Sequence, residues 1–150
     1  MNKPNGDTMS ETLNGGCLCG AIRYEITQTV PSIVACHCTH CQKASGSGVS
    51  HNAILPTQAF HLLSGKTKCF GDTAESGNQL MRHFCGDCGS PIFSQRENAP
   101  GLVVLKVGSL DNSSGMQVAM NIWTRSARPW MHIDPNSVQH AQGRPAPTPS

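Results

Sequence analysis

The sequence has few aromatic and few charged residues. Aromatic residues make up 5% of the 150 residues, and Asp, Glu, Lys and Arg together make up 13%. A chain of this length is expected to form about one domain. The shortage of large rings predicts a modest hydrophobic core, and such cores are often stabilised by disulfides or bound metals.

Long runs of one kind of residue are also missing. No apolar stretch reaches the length that crosses a bilayer, so no membrane partner is predicted. The net charge is only +2 and no run of five basic residues occurs, so nucleic acid is not a predicted partner. The opening segment MNKPNGDTMSETLNGG is polar and lacks the apolar region of a secretory signal. A cytoplasmic protein is therefore expected.

The two ends of the chain differ in composition from its middle. Residues 1–13 are polar and are predicted to form a flexible lead. Residues 139–150 are rich in proline and small polar residues and are predicted to form a flexible tail. No linker or internal repeat divides residues 14–138, so a single domain is expected there.

Short apolar segments, broken by 15 glycines and 10 prolines, predict a mostly β protein with antiparallel sheets. AIRYEIT alternates, which places Ile22, Tyr24 and Ile26 on one face of a half-buried strand. Further strands are predicted in VSHNAIL, LMRHF, PIFSQ, GLVVLKVGSL and QVAMNIW. Only THCQKAS and TQAFHLL are predicted to be helical.

Seven of the eight cysteines fall into three short groups with the spacing of metal ligands. In a reducing compartment such clusters favour metal over disulfides. The C-x-C pair of GGCLCG lies on one face of an extended segment, and the C-x-x-C pair of FCGDCGS folds into a tight turn. Two such pairs make the closed four-thiolate geometry of structural zinc. We call these residues the four-cysteine cluster: Cys17, Cys19, Cys85 and Cys88.

The segment ACHCTHC places the other three within six positions. We call Cys36, Cys38 and Cys41 the three-cysteine cluster. Three thiols are too many for one disulfide and one short of a closed tetrahedral zinc site. A zinc ion held there would keep its fourth position open to water or substrate, as catalytic zinc does. The spacing therefore predicts two Zn²⁺ per chain, one structural and one catalytic.

Other partitions of the cysteines are weighed against this prediction. His40 lies on the turn of the three-cysteine cluster and is an alternative fourth ligand, which would make that site structural as well. His37 is expected to point away from the metal face. A secreted fold with four disulfides is the other alternative, and the missing signal argues against it. Cys69 belongs to neither cluster and is interpreted as a small buried hydrophobe.

Five segments follow one another in a family-like order: GGCLCGAIRY, CHCTHCQKASGS, RHFCGDCGSPIF, VGSLD and WTRSARPW. In this order and spacing the sequence resembles the glutathione-dependent formaldehyde-activating enzyme family, which includes the centromere protein V domain. The resemblance runs from about Gly15 to Trp130 and has seven cysteines in register.

The resemblance implies a fold of stacked antiparallel sheets, the β-tent shared with Mss4 zinc proteins, over residues 14–138. It implies two zinc ions, with the four-cysteine cluster matching the structural ligands and the three-cysteine cluster the catalytic ones. It also implies condensation of formaldehyde with glutathione to S-hydroxymethylglutathione, formally a carbon–sulfur lyase reaction run in reverse. The implied partner is a small thiol or aldehyde.

Two positions depart from the family's usual pattern. Gln42 stands where members usually have arginine, and Asn121 stands where they often have histidine. Either change is expected to remove a substrate contact. Two rival functions therefore stay open: a zinc-stabilised binding module without catalysis, and an enzyme of the same fold with another small substrate.

Substrate-binding residues are predicted around the three-cysteine cluster. The cations that could hold the carboxylates of an anionic substrate are Lys43, Arg82 and Arg125. Ser47, in the small-residue segment ASGSG, and His51 are the other candidates because they lie near the cluster in sequence. Beyond the metal ligands, no catalytic residue is predicted.

Overall fold

The computed structural model describes residues 12–30 and 32–144. Its elements in chain order are β1 (Leu13–Gly16), β2 (Arg23–Ile26), β3 (Ile33–Cys36), α1 (Thr39–Ser45), β4 (Ser50–Pro56), β5 (Phe60–Ser64), β6 (Thr67–Thr73), β7 (Gln79–Cys85), β8 (Pro91–Arg96), β9 (Leu102–Lys106), β10 (Val118–Ile122) and β11 (Val138–Gln139). The prediction of a mostly β protein is confirmed.

The strands form two sheets. One has three strands in the order β1-β2-β5, and the other has eight in the order β11-β10-β3-β4-β9-β8-β7-β6. Strand β2 carries the predicted alternation, because Ile22, Tyr24 and Ile26 are all at most 1% exposed. They pack with Leu55 and Leu105 of the larger sheet in one cluster, so the main core combines residues of both sheets.

One glycine is required where the two sheets meet. A Cβ at Gly15 would lie 2.3 Å from Tyr24 Oη and 2.5 Å from the backbone oxygen of Ser109. The same two residues are joined by a hydrogen bond of 2.6 Å between Tyr24 Oη and Ser109 Oγ. Any larger residue would push this contact apart, so glycine is the residue that fits here.

The larger sheet is not purely antiparallel, which differs from the prediction. Strand β10 pairs in parallel with β3, with Asn121 opposite Ala35 and Ile122 opposite Cys36, and β11 pairs in parallel with β10. A parallel pair needs a long crossover connection, and the many residues between β3 and β10 supply it. The pairing brings the end of β10 beside the three-cysteine cluster.

One predicted helix is present and the other is wrong. THCQKAS forms α1, Thr39–Ser45. TQAFHLL instead forms a single 3₁₀ turn, Thr57–Ala59, followed by strand β5. Tertiary pairing explains the difference, because Phe60, His61 and Leu62 form the edge of the smaller sheet against β2.

The C-terminal end of the described chain is hydrogen-bonded to the larger sheet. Residues 1–11 and 145–150 lie outside the described residues, so most of the predicted lead and half of the predicted tail fall there. The backbone N–H of His140 donates to Asn121 O, and the N–H of Trp123 donates to Gln142 O. Among the described residues, no helix is long and apolar enough to cross a membrane.

Candidate functional site

The four-cysteine cluster lies where two distant turns meet. Cys17 and Cys19 follow β1, Cys85 ends β7, and Cys88 lies in the next turn. All four sulfur atoms lie within 4.8 Å of one another, with 3.5 Å between Cys17 and Cys19 and 3.8 Å between Cys19 and Cys85. A tetrahedron with Zn–S bonds of about 2.3 Å has edges of about 3.8 Å. The donor set and spacing therefore fit one tetrahedral soft metal ion.

Backbone and side-chain donors surround these sulfur atoms. The N–H of Ile22 donates to Cys17 Sγ over 3.2 Å. Ser90 Oγ accepts from the N–H of Leu18 over 3.0 Å and lies 3.2 Å from Cys88 Sγ. The hydrogen bonds from Ser90 lower the pKa of Cys88 to about 5. Ser90 thus stabilises the thiolate form and joins the two halves of the cluster.

The three-cysteine cluster is built by one strand end and one short helix. Cys36 ends β3, Cys38 is the N-cap of α1, and Cys41 lies in the first turn, where its N–H donates to Cys38 Sγ over 3.3 Å. The three sulfur atoms lie within 4.8 Å of one another and all three residues are buried. A buried set of three thiols fits a soft metal ion held by thiolates.

The three thiols share their protons unequally. Hydrogen bonds from Cys36 and Cys38 lower the pKa of Cys41, against the opposing effect of burial, and the positive charges of Lys106 and Arg82 lower it further. The same contacts raise the pKa of Cys36. Even without a metal, the environment favours one thiolate in this cluster.

Among the described residues, no histidine or carboxylate joins the three sulfur atoms. His40 Nδ1 instead donates to Asp72 Oδ1 over 3.1 Å, so the alternative fourth ligand is engaged elsewhere. His37 is 1% exposed, and its Nε2 donates to Asn121 Oδ1 over 2.9 Å. The two histidines between the cysteines therefore hold the segment in place and leave the fourth direction to other groups.

A cavity of about 150 Å³ opens in front of the three-cysteine cluster. Trp123 forms part of its wall and packs against the cluster. Its φ of 58° is the only positive value among non-glycine residues in the described chain. Such a conformation is disfavoured for a bulky residue and persists where neighbouring contacts impose it. Here the N–H of Trp123 is held by Gln142 O over 2.9 Å.

A larger cavity of about 550 Å³ adjoins this one, and the two share Arg82 and Lys106 in their walls. Helix α1 contributes Lys43 and His40, and the sheet contributes three phenylalanines: Phe70, Phe84 and Phe93. Arg82 Nε donates to Asp72 Oδ2 over 2.9 Å. Burial opposes ionisation of Asp72, but hydrogen bonds from Arg82 and His40 outweigh it and lower its pKa. The cavity combines apolar walls with a surplus of positive charge.

The predicted substrate residues are divided among different surfaces. Lys43 lines the 550 Å³ cavity, whereas Ser47 and His51 line a third cavity of about 500 Å³. Arg125 lies 3.6 Å from Glu75 and stacks on the Trp123 ring at 5.0 Å, with 49% of its side chain exposed. These four residues are therefore not gathered into one pocket.

The two departures from the usual family pattern are bonded internally. Gln42 Nε2 donates to His37 O over 2.8 Å and to Ser126 O over 3.0 Å, and Gln42 Oε1 accepts from Arg128 Nε over 2.8 Å. Asn121 bonds His37, as described, and donates to Ser137 Oγ over 3.0 Å. In this chain both residues orient the segment around the three-cysteine cluster.

Several residues near the clusters escaped the sequence analysis. Ser90 lies in the segment RHFCGDCGSPIF but was not a predicted site residue, and Asp72 and Lys106 lie in no motif. The roles of all three depend on which strands are neighbours. Cys69 was wrongly interpreted as buried, since it is exposed on the edge strand β6. All eight cysteines are free thiols.

Sequence comparison supplies the family. The profile of the family described as glutathione-dependent formaldehyde-activating enzyme matches residues 12–126. The chain belongs to this family. A Penicillium rubens protein provisionally named as such an enzyme is 30% identical over 83 residues, which cover 54% of this chain and 42% of that protein. The chain thus matches less than half the length of that relative.

A solved structure has the same fold. A crystal structure of a Rhodobacter sphaeroides protein superposes with a TM-score of 0.54 at 16% identity, covering 85% of this chain and 98% of the other. At this identity the likeness concerns the fold alone. With the two sheets and the two cysteine clusters, it confirms the expected family fold.

Proposed function

We propose that the protein is a zinc-dependent carbon–sulfur lyase that interconverts a thiol plus an aldehyde with their adduct. The substrates we propose are glutathione and formaldehyde, and the product is S-hydroxymethylglutathione. One observation carries the proposal: three buried thiols face a cavity, and no fourth histidine or carboxylate ligand joins them among the described residues. A closed structural site would have a fourth protein ligand instead.

Two Zn²⁺ per chain are part of the proposal. The four-cysteine cluster would hold the structural ion, and the three-cysteine cluster would hold the catalytic ion. Sulfur donors at tetrahedral spacing favour zinc among the common divalent ions of proteins. Bound at the three-cysteine cluster, zinc would supply a Lewis acid that favours the thiolate form of a substrate thiol.

The walls of the 550 Å³ cavity support an anionic substrate of small-peptide size. Pockets of about 300–1,000 Å³ are usual for such ligands. Lys43 and Arg82 line this cavity from two different elements, α1 and β7. Each can hold a carboxylate of a glutathione-like thiol and so place its sulfur toward the three-cysteine cluster.

A second candidate is an enzyme of the same fold that acts on another small thiol. The three phenylalanines of the cavity wall favour it, because they offer apolar surface that a strongly polar tripeptide does not need. A binding module without catalysis is the remaining alternative. The same experiment separates all three.

Exchange NMR is the measurement that tests the function. Formaldehyde and glutathione combine without help, so the rate of interconversion is measured rather than the yield. We expect the zinc-loaded native protein to accelerate exchange, and Cys38→Ser to lose at least about 100-fold of that acceleration, since it removes a ligand from the active metal. Cys69→Ser, outside both clusters, is the matched control and should behave as the native protein does.

The outcomes separate the candidates. Native exchange no faster than the uncatalysed rate, with two zinc ions bound, would reject the glutathione reaction, and exchange with other thiols would then identify the second candidate. Full activity and full zinc content in Cys38→Ser would reject a catalytic role for the three-cysteine cluster. No acceleration with any thiol would favour the binding module.

A further inference from the structure

A lysine that no motif identifies lies on the same face of the larger sheet as the three-cysteine cluster. Lys106, at the end of β9, pairs directly with Asn52 of β4. Ser50, two residues from Asn52 on the same face, pairs directly with Cys36. Directly paired residues share a face, so Lys106 and Cys36 lie on one face of the sheet. They are two strand spacings of about 4.8 Å apart across the sheet and two residues apart along it, which places their Cα atoms about 12 Å apart.

The Lys106 ammonium is held by neutral oxygens. Its Nζ donates to Ser50 Oγ over 3.1 Å and to Asn52 Oδ1 over 2.9 Å. Ser50 Oγ donates to the same Asn52 oxygen over 3.0 Å, and both residues are buried. This network fixes the position of Nζ and occupies two of its three N–H donors.

No carboxylate neutralises this cation among the described residues. The neighbouring cation Arg82 is paired with Asp72, but Lys106 has only the two neutral partners. Burial lowers the pKa of Lys106, and the charge of the neighbouring cysteines opposes that effect. A partly buried ammonium without a counter-ion is costly unless a ligand or a nearby anionic centre balances it.

Lys106 is also the residue at which the cavities meet. It lines the 150 Å³ cavity of the three-cysteine cluster, the 550 Å³ cavity and the 500 Å³ cavity. This ammonium therefore lies in the wall that each larger cavity shares with the cavity of the cluster. Its third donor is therefore placed where a reacting molecule would lie.

We propose that Lys106 binds the substrate oxygen on which negative charge develops, so that its pocket is a site for a small oxyanion carried on one carbon. This rests on the proposed function. When the thiolate sulfur forms its bond to the aldehyde carbon, the π electron pair of the carbonyl moves to oxygen, which accepts a hydrogen bond from Lys106 Nζ. The proton released by the thiol returns to that oxygen through solvent, so atoms and charge balance. A fixed donor aimed at such an oxygen stabilises the transition state more than the ground state.

A purely structural role for Lys106 makes a different prediction. Three thiolates around a divalent ion carry a formal charge of −1, which a nearby ammonium would help to balance. If that were its only role, removing the charge would weaken metal binding. It would not remove an anion site.

The test compares Lys106→Met with Lys66→Met, a matched change at an exposed lysine between β5 and β6. Zinc content, kcat and KM from exchange NMR, and the binding of formate by saturation-transfer NMR are measured on zinc-loaded protein. Formate is the probe because it carries an oxyanion on one carbon. We expect Lys106→Met to keep two zinc ions, to lose about 100- to 1,000-fold in kcat with a smaller change in KM, and to lose formate binding. Lys66→Met should match the native protein.

Each outcome decides between the roles. Loss of zinc from Lys106→Met with formate binding intact would overturn the proposal in favour of charge balance. Native kcat and native formate binding in Lys106→Met would overturn it as well, with the lyase function intact. If the native protein does not accelerate exchange but formate binding still requires Lys106, the proposed function fails and the oxyanion site stands.

A crystal of the zinc-loaded native protein grown with sodium formate gives a measurement that needs no variant. A formate oxygen about 3 Å from Lys106 Nζ is the expected result. Formate bound only elsewhere, or absent from the cavity at saturating concentration, would contradict the proposal even if Lys106→Met failed to fold.

Discussion

The two cysteine clusters lie on opposite faces of the larger sheet and are assembled in opposite ways. The four-cysteine cluster packs with the core between the sheets and joins turns that are far apart in sequence. The three-cysteine cluster comes from one short segment, has the partly buried hydrophobic residues Ile122 and Trp123 packed against it, and faces the cavities. One cluster is part of the core, and the other lines a cavity.

The two clusters also differ in whether their protein ligands can complete a tetrahedral metal site. The four-cysteine cluster would satisfy a tetrahedral ion completely, so a metal held there would contribute to folding. The three-cysteine cluster cannot do so with the described histidines and carboxylates, yet it is the more deeply buried of the two, with all three residues at most 8% exposed. Burial without completion is typical of a site that reserves one position for a reacting molecule.

The largest effects are expected from one Cys→Ser change in each cluster. Cys85→Ser should abolish folding, because structural zinc contributes about 10–16 kcal/mol of binding free energy while a domain is stable by only about 5–15 kcal/mol. Cys41→Ser should remain folded with one zinc ion and a loss of about 2 kcal/mol, or about 4–8 °C in Tm. Near-UV circular dichroism and zinc content per chain measure both effects.

Cys69→Ser is the control for both variants. It removes an exposed thiol outside the clusters, so two zinc ions and the native Tm are expected. A folded Cys85→Ser with native-like circular dichroism would contradict a structural role for the four-cysteine cluster. An unfolded Cys41→Ser would contradict a purely catalytic role for the three-cysteine cluster.

A smaller effect should follow from removing the support behind the three-cysteine cluster. Asn121→Leu leaves Nε2 of the buried His37 without its partner, and Nδ1 of that ring already has none among the described residues. An unsatisfied buried polar group costs about 1–3 kcal/mol, so the free energy of unfolding in urea should fall by that amount. The rate of exchange should fall too, because His37 lies between two of the three cysteines.

Asn136→Leu is the matched control, since Asn136 is exposed. Its unfolding free energy should stay within about 0.5 kcal/mol of the native value. Equal losses in the two variants would mean that the hydrogen bond between His37 and Asn121 does not support the cluster.

The smallest effects distinguish two predicted substrate contacts. Lys43→Met should raise KM for glutathione by about 3- to 10-fold at unchanged kcat, because Lys43 lines the 550 Å³ cavity. Arg125→Met should change KM by less than about 2-fold, because its guanidinium is exposed and pairs with Glu75. Steady-state exchange rates over a range of glutathione concentrations measure both, and a larger effect at Arg125 would place the substrate on the Trp123 side instead.

The local parts of the fold and site followed from the sequence. The alternation of β2, the helix THCQKAS and the grouping of seven cysteines into two clusters each depend on residues close in sequence or on pairs with fixed spacing. The sequence also predicted that His37 points away from the metal face, because it lies between two ligands on an extended segment. Period and spacing are readable from one sequence because they are set by backbone geometry.

The parts that failed depend on which strands become neighbours. The parallel pairing of β10 with β3, and the strand in place of the helix TQAFHLL, are decided by tertiary contacts that override local preference. In the sequence, Lys106 is a single charged residue within the apolar run GLVVLKVGSL. The strand order β3-β4-β9 is needed to show that it shares a face with Cys36. The exposure of Cys69 likewise follows from the edge position of β6.

The compactness of the three-cysteine segment has a consequence for protein synthesis. Its thiols leave the ribosome together, long before Cys88 completes the four-cysteine cluster and before β9 and β10 supply the cavity walls. During that interval the three thiols of the nascent chain can bind any soft metal ion in their surroundings. Copper present during synthesis is therefore expected to compete with zinc for this segment, since copper binds such donors more strongly than zinc does.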